Sequence, residues 1–105
     1  MSSMSLCGFE PTHPGEVLKD EIECRGISQK ELAEKIGMPY KVLNEILNGH
    51  RNLSVESALL FEASLDVPAN VLLNLQMKYN MQMAKNDKSF LSRLESIRKL
   101  TACFL

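Results

Sequence analysis

Ser28–Gly49, SQKELAEKIGMPYKVLNEILNG, decides the fold of this chain. Ser28 offers a hydroxyl that caps a helix, and Glu31, three residues on, completes a capping box. Ile27, just before the cap, is placed to act as a hydrophobic staple. Leu32, Ala33 and Ile36 then fall on one helical face. Gly37 stops the helix, because a residue without Cβ accepts the left-handed conformation of the turn. Pro39 suits the first turn of a second helix, where a missing N–H is harmless. Leu43, Ile46 and Leu47 point inward from that helix, and Asn48-Gly49 end it. Small Ala33 lets the two helices cross closely. Two short amphipathic helices joined by a tight turn make a helix-turn-helix, whose second helix can be offered to the DNA major groove.

Towards the N-terminus, His13-Pro14-Gly15 opens another helix, with Pro near its start and Glu16 at the positive end of its dipole. Val17, Leu18 and Ile22 give it an apolar stripe, and Gly26 ends it. Residues 1–12 are Ser-rich and are expected to be flexible. Towards the C-terminus, a short basic loop, His50-Arg51-Asn52, leads through Leu53 to a cap at Ser54. The fourth helix runs to about Leu65, with Ala58, Leu59, Phe61, Glu62 and Leu65 marking its period. Asp66-Val67-Pro68 is a turn, and a fifth helix follows from Ala69 to about Ala84.

That fifth helix is apolar on two sides. Val71, Leu72, Leu75 and Tyr79 make one stripe; Leu73, Met77, Met81 and Ala84 make another. A helix with two apolar faces has two partners to bury against. One is the core, and the other is a second subunit, a different protein or the chain's own tail. Lys85–Lys88 reads as a polar linker and Ser89 as the cap of a last helix. Phe90, Leu94, Ile97 and Phe104 line one side of it, with Leu91 and Leu100 near. The chain is expected to be all-α: a helix-turn-helix domain over residues 13–84 and a C-terminal helical extension, amphipathic, over 85–105. Leu73, Met77, Met81, Phe90, Leu94 and Ile97 are the candidate dimer or partner interface. The methionines are adaptable contacts on such a face, or simply core.

A length of 105 residues allows one domain, or one with an appendage, and an apolar fraction of 45% supplies a real core. No apolar run approaches the roughly 18 residues of a membrane span. The start, MSSMSLCGFE, has neither a basic opening nor an apolar run, so a secretory signal is not expected. Cys7, Cys24 and Cys103 are odd in number and scattered, which fits reduced thiols and a cytoplasmic location. Charge is more informative. Twelve Lys+Arg stand against thirteen Asp+Glu, for a net −1, whereas many DNA-binding domains are clearly basic. Residues 14–84 carry 7 basic and 10 acidic groups (−3), and residues 85–105 carry 5 and 2 (+3). Low net charge weakens non-specific DNA binding, which comes from counterion release, and so favours a dimer in which two modest half-sites add up.

Enzymatic chemistry finds no support. His13 and His50 are far apart, with no Cys or His at metal-ligand spacing. Asp20, Glu21 and Glu23 lie on the exposed side of a helix rather than forming an acid/base pair. There is no Gly-rich phosphate loop and no nucleophile–base arrangement, so no cofactor or metal is expected.

With its flanks added, the central motif becomes more specific. His13-Pro14-Gly15-Glu16-Val17-Leu18, Ser28-Gln29-x-Glu31-Leu32-Ala33, and Ile46-Leu47-Asn48-Gly49-His50-Arg51 together resemble the HigA-type antitoxins. These are a branch of the Xre/Cro-repressor helix-turn-helix superfamily, also called plasmid-maintenance antidote proteins. Leu73-Asn74-Leu75-Gln76 followed by Tyr79 resembles that branch's fifth helix. The similarity runs from about His13 to Ala84, and the tail from Lys85 has no counterpart. The resemblance implies a lambda-repressor-like five-helix domain, to which the amphipathic sixth helix read from the tail is an addition. It further implies a homodimer that represses its own operon on a palindromic double-stranded DNA operator. The implied second partner is a toxin of the HigB/RelE-like ribonuclease type, which cleaves mRNA and which the chain would neutralise.

By that resemblance Gln29 occupies a phosphate-binding position, helped by exposed helix N–H groups; otherwise it is an ordinary helix-start residue. Tyr40, Lys41, Asn44 and Glu45 face away from Leu43 and Ile46 and can reach base edges, or else form a solvated polar face. Lys41 can donate to guanine and Asn44 can pair with adenine, while Glu45 can accept from cytosine or act as a repulsive selectivity element. Asn48 and Arg51 suit backbone contacts; their alternatives are a helix C-cap and a solvated loop charge. Two other functions stay open on the sequence: a generic Xre-type repressor without a toxin, and a protein-interaction module with a degraded DNA face.

Overall fold

The computed structural model describes residues 12–104. Among these residues six helices follow one another: α1 (Pro14–Arg25), α2 (Gln29–Ile36), α3 (Tyr40–Leu47), α4 (Val55–Leu65), α5 (Ala69–Lys85) and α6 (Lys88–Thr101), with a closing 3-10 turn at Ala102–Phe104. Among the described residues there is no strand. The flexible N-terminus expected over residues 1–12, and Cys7 within it, lie outside the described residues except for exposed Thr12.

Side-chain caps set where these helices begin. Ser28 Oγ accepts the Glu31 N–H at 3.1 Å, and Ser54 Oγ accepts the Ser57 N–H at 3.1 Å. Losing such a cap costs about 1 kcal/mol. His13 caps α1 in the same way, its Nδ1 accepting the Gly15 N–H at 2.9 Å. Gly37 closes α2 at φ 71°, the left-handed conformation a Cβ disfavours. Two boundaries differ from expectation. Pro39 precedes α3 rather than lying in its first turn. The cap of α6 is Asp87, not Ser89: one carboxylate oxygen accepts the N–H groups of both Ser89 and Phe90, at 3.0 and 3.2 Å. A carboxylate holding two N–H groups at the positive end of a helix outcompetes a hydroxyl two residues later. The linker therefore shrinks to Asn86 and Asp87.

The core is built from α1 to α5. Leu18, Leu43, Ile46, Leu47, Phe61, Leu65 and Leu72 are fully buried, each worth about 1.5–3 kcal/mol against exposure. Helix α4 packs on α5, α2 on α3, and α1 crosses α3. That crossing is close at Gly15, where an added Cβ would collide with the carbonyl oxygens of Ile46 and Leu47. Leu59 and Glu62, counted into the period of α4, lie outside the core; Glu62 instead accepts the Ala69 N–H at 3.2 Å. The inward face of α5 is also corrected. It runs through Ala69, Leu72 and Gln76, and Val71 stands nearly half exposed. Helix α6 has no buried residue.

Candidate nucleic-acid interface

Burying Leu43, Ile46 and Leu47 turns the opposite face of α3 outward. Tyr40 and Lys41 are exposed on its first turn, and Asn44 and Glu45 are half-buried one turn later. Gln29 opens α2 beside them, and Asn44 Nδ2 donates to Gln29 Oε1 at 3.1 Å. The two helices of the motif thus share one polar contact on the face expected to meet DNA. Each amide is held by the other, which lowers the rotamer entropy that either would lose on binding a base or phosphate.

Glu45 and Arg51 are also brought together. Arg51 Nη2 lies 2.7 Å from Glu45 Oε1, and its Nε donates to the same oxygen at 2.8 Å. The guanidinium is half exposed and the carboxylate less so. An arginine from the loop therefore screens the one acidic group on the outer face of α3. Asn48 is tied twice: its Nδ2 donates to Asn44 O at 2.9 Å, and its Oδ1 accepts from Lys19 Nζ at 2.9 Å. It holds the end of α3, as its C-cap alternative required.

Lys19 is a residue that reading along the chain does not single out. It comes from α1, 29 positions before Asn48, and sets an ammonium at the negative end of the α3 dipole. No local pattern marks such a pair. The seat of α3 is equally hidden from the sequence. His13 is buried; its ring lies against Gly49 and meets the Tyr79 ring edge-to-face at 4.9 Å and 84°. With Nδ1 accepting from Gly15, the imidazole is neutral and carries its proton on Nε2, which has no hydrogen-bond partner among the described residues. Burial pushes its pKa below the ordinary value, against the opposing pull of Glu16.

Gln76 fixes the loop that carries Arg51. Its Oε1 accepts the Leu53 N–H at 2.7 Å, and its Nε2 donates to Asn52 Oδ1 at 3.2 Å and Asn80 Oδ1 at 3.1 Å. Both ends of a buried amide are satisfied, as a buried polar group requires. The partner-face residues fall elsewhere. Met77 and Met81 are exposed on α5 with Leu73 half-buried beside them, whereas Phe90, Leu94 and Ile97 lie along α6. Among the described residues no group of three or more His, Cys, Asp or Glu is placed to hold a metal.

Residues 18–72 match the helix-turn-helix family. The chain is similar to Virulence-associated protein I of Dichelobacter nodosus, 32% identical over 77 residues that span 72% of this chain and 71% of that protein. It is also similar to an addiction module antidote protein of a HigA family from Coxiella burnetii. There the TM-score is 0.72 and the identity 29%, over 84% of this chain and 95% of that one. A third likeness is to the Pseudomonas aeruginosa antitoxin HigA, solved with the higBA promoter. Its TM-score is 0.70 and its identity 27%, over 86% of this chain and 94% of that one.

Proposed function

Because this chain belongs to the helix-turn-helix family, in its HigA-type antitoxin branch, we propose that it is the DNA-binding antitoxin of a type II toxin–antitoxin module. It is a regulator and not an enzyme. Residues 13–84 are the DNA-reading domain and residues 85–105 an extension of it. Two copies bind the module's own palindromic operator and repress it in the cytoplasm; the second ligand is an mRNA-cleaving toxin of the HigB/RelE-like type. No helix among the described residues is long and apolar enough to cross a membrane. The observation that supports this reading most is the likeness to a promoter-bound antitoxin over 86% of this chain. In the proposed complex Gln29 and Arg51 contact phosphates, and Tyr40, Lys41 and Asn44 face base edges, with Asn48 near the backbone.

An electrophoretic shift on the chain's own promoter, at low and at moderate salt, tests the repressor half. A retarded band is expected, and its absence at both salts would sink that half. Lys41→Ala should lower operator affinity at fixed salt by about 1–3 kcal/mol for each base it reads, with the circular dichroism spectrum unchanged. Undiminished affinity would place the reading face elsewhere. Co-expression with the neighbouring reading frame tests the antitoxin half: a stable complex and rescued growth are expected, and neither appearing would leave only a generic repressor.

A further inference from the structure

Helix α5 carries an open apolar groove of about 540 Å3, lined by Val55, Leu73, Met77, Met81 and Ala84. Met77 and Met81 are 66% and 56% exposed, so the groove is uncovered. Helix α6 carries the matching half, an apolar ridge of Phe90, Leu94 and Ile97 running on to Thr101, with Arg93 and Arg98 along its two margins. Both Phe90 and Ile97 are exposed, and no residue of α6 lines the groove. The two features agree in length. Leu73 to Ala84 and Phe90 to Thr101 each span roughly 16 Å at the helical rise per residue.

The chain does not close this joint on itself. Only Asn86 and Asp87 separate the two helices, Asn86 with a helical backbone (φ −89°, ψ −6°) and Asp87 extended (φ −87°, ψ 104°), and this short link leaves α6 off the groove of its own α5. The result is an elongated molecule, 56 × 32 × 21 Å with a radius of gyration of 17.5 Å, where a compact chain of this length has about 13 Å. Charge divides along the same line, −3 over residues 14–84 and +3 over residues 85–105. A tail of one sign and a body of the other attract between copies.

We propose that two copies of this chain exchange tails, the α6 ridge of Phe90, Leu94 and Ile97 seating in the α5 groove of the other copy. This rests on the dimeric reading given above and specifies how the two chains meet. Exchange forms the same joint twice about a two-fold axis and so closes the assembly. Groove and ridge of each chain are covered together, so one assembly buries both exposed apolar features. Unbranched Met77 and Met81 shape themselves to the ridge.

Two full-length variants test it, Met81→Asp in the groove and Ile97→Asp in the tail, each at a position that is already exposed. Thermal melting by circular dichroism confirms that both fold. Analytical ultracentrifugation should give about twice 11.8 kDa for the unaltered chain and the single mass for each variant. An equimolar mixture of the variants should regain the two-chain species, since one supplies an intact groove and the other an intact tail. A dimeric Ile97→Asp points to α5 pairing with α5, a dimeric Met81→Asp to α6 pairing with α6, and an unrecovered mixture to neither joint; each overturns exchange. An unaltered chain of single mass also overturns it and leaves the groove to another protein. The operator shift run on the same samples separates the two ideas. A dimer with a different joint that still shifts DNA removes only the exchange, whereas an unaltered chain that dimerises but gives no shift removes the repressor reading itself.

Discussion

The most consequential residue on the outer face of α3 is Glu45, because a carboxylate beside phosphates repels them unless something answers its charge. Arg51 answers it at 2.7 Å. The pair is partly open to solvent, so its own contribution to stability is small, within about 1 kcal/mol. Its effect on DNA is larger, since removing the arginine takes away a phosphate ligand and unmasks the carboxylate. Arg51→Ala should therefore weaken operator binding, and adding Glu45→Gln should restore part of the affinity. Equal binding by the single and double variants, titrated on one operator at one salt, would show that the carboxylate does not face DNA. His13 sets a second expectation at this scale. Its folded pKa is lowered by burial, so the unfolded chain takes up the proton first. The stability it contributes stands in full above the ordinary value of about 6.5 and is lost as pH falls through that value towards the folded one. Urea midpoints of the unaltered chain should drop between about pH 7.5 and about pH 5 more than those of His13→Asn, which keeps a capping acceptor but does not titrate there. Parallel curves would assign the drop to another group.

Helix by helix, what can be read in the chain is what is local. Ser28, Gly37 and the Leu32–Ala33 and Leu43–Ile46–Leu47 faces act within a turn or two, and α2 and α3 form where their sequence places them, save that α3 starts just after Pro39. What escapes reading depends on contacts across the fold. Apolar residues alone give α5 its expected period, but its inner face includes Gln76, a polar residue whose burial makes sense only once Leu53 is opposite it. Asp87 and Ser89 are both good cap formers, and the choice turns on how many N–H groups each reaches. The role of Gly15 is invisible until Ile46 and Leu47 lie against it, and Lys19 finds Asn48 only through the α1–α3 crossing. Gln76 gives the sharpest test. Gln76→Leu leaves the Leu53 N–H buried without its acceptor, a loss of about 1–3 kcal/mol. It also frees the Asn52 side chain from the loop that carries Arg51, so operator affinity should fall alongside the urea midpoint. A midpoint unchanged from that of the original chain would mean that water replaces the amide without penalty.

Across the whole molecule, charge placement matters more than charge number. A net of −1 gives the chain no general attraction to a polyanion, so binding has to come from a few cations brought to one face. Lys19, Lys41 and Arg51 are the ones the fold gathers around α3, and Glu45 holds the last of them. The acids of α1 need not oppose this, because Asp20 and Glu23 are exposed on a helix whose buried side carries Leu18 and Ile22. Three cations per chain neutralise too few phosphates for tight binding by one copy, but two copies on a palindrome double the number. Each phosphate contact contributes about −0.9 to the slope of log affinity against log salt, so a dimeric complex resting on these groups should show a slope of about −5 or shallower. The same arithmetic counts chains. Arg51→Ala should make the slope shallower by about 2 if two copies bind together and by about 1 if one copy binds alone. Fluorescence anisotropy on the operator across a salt series measures both slopes. An unchanged slope would show that the Arg51 guanidinium stays on Glu45 in the complex and contacts no phosphate at all.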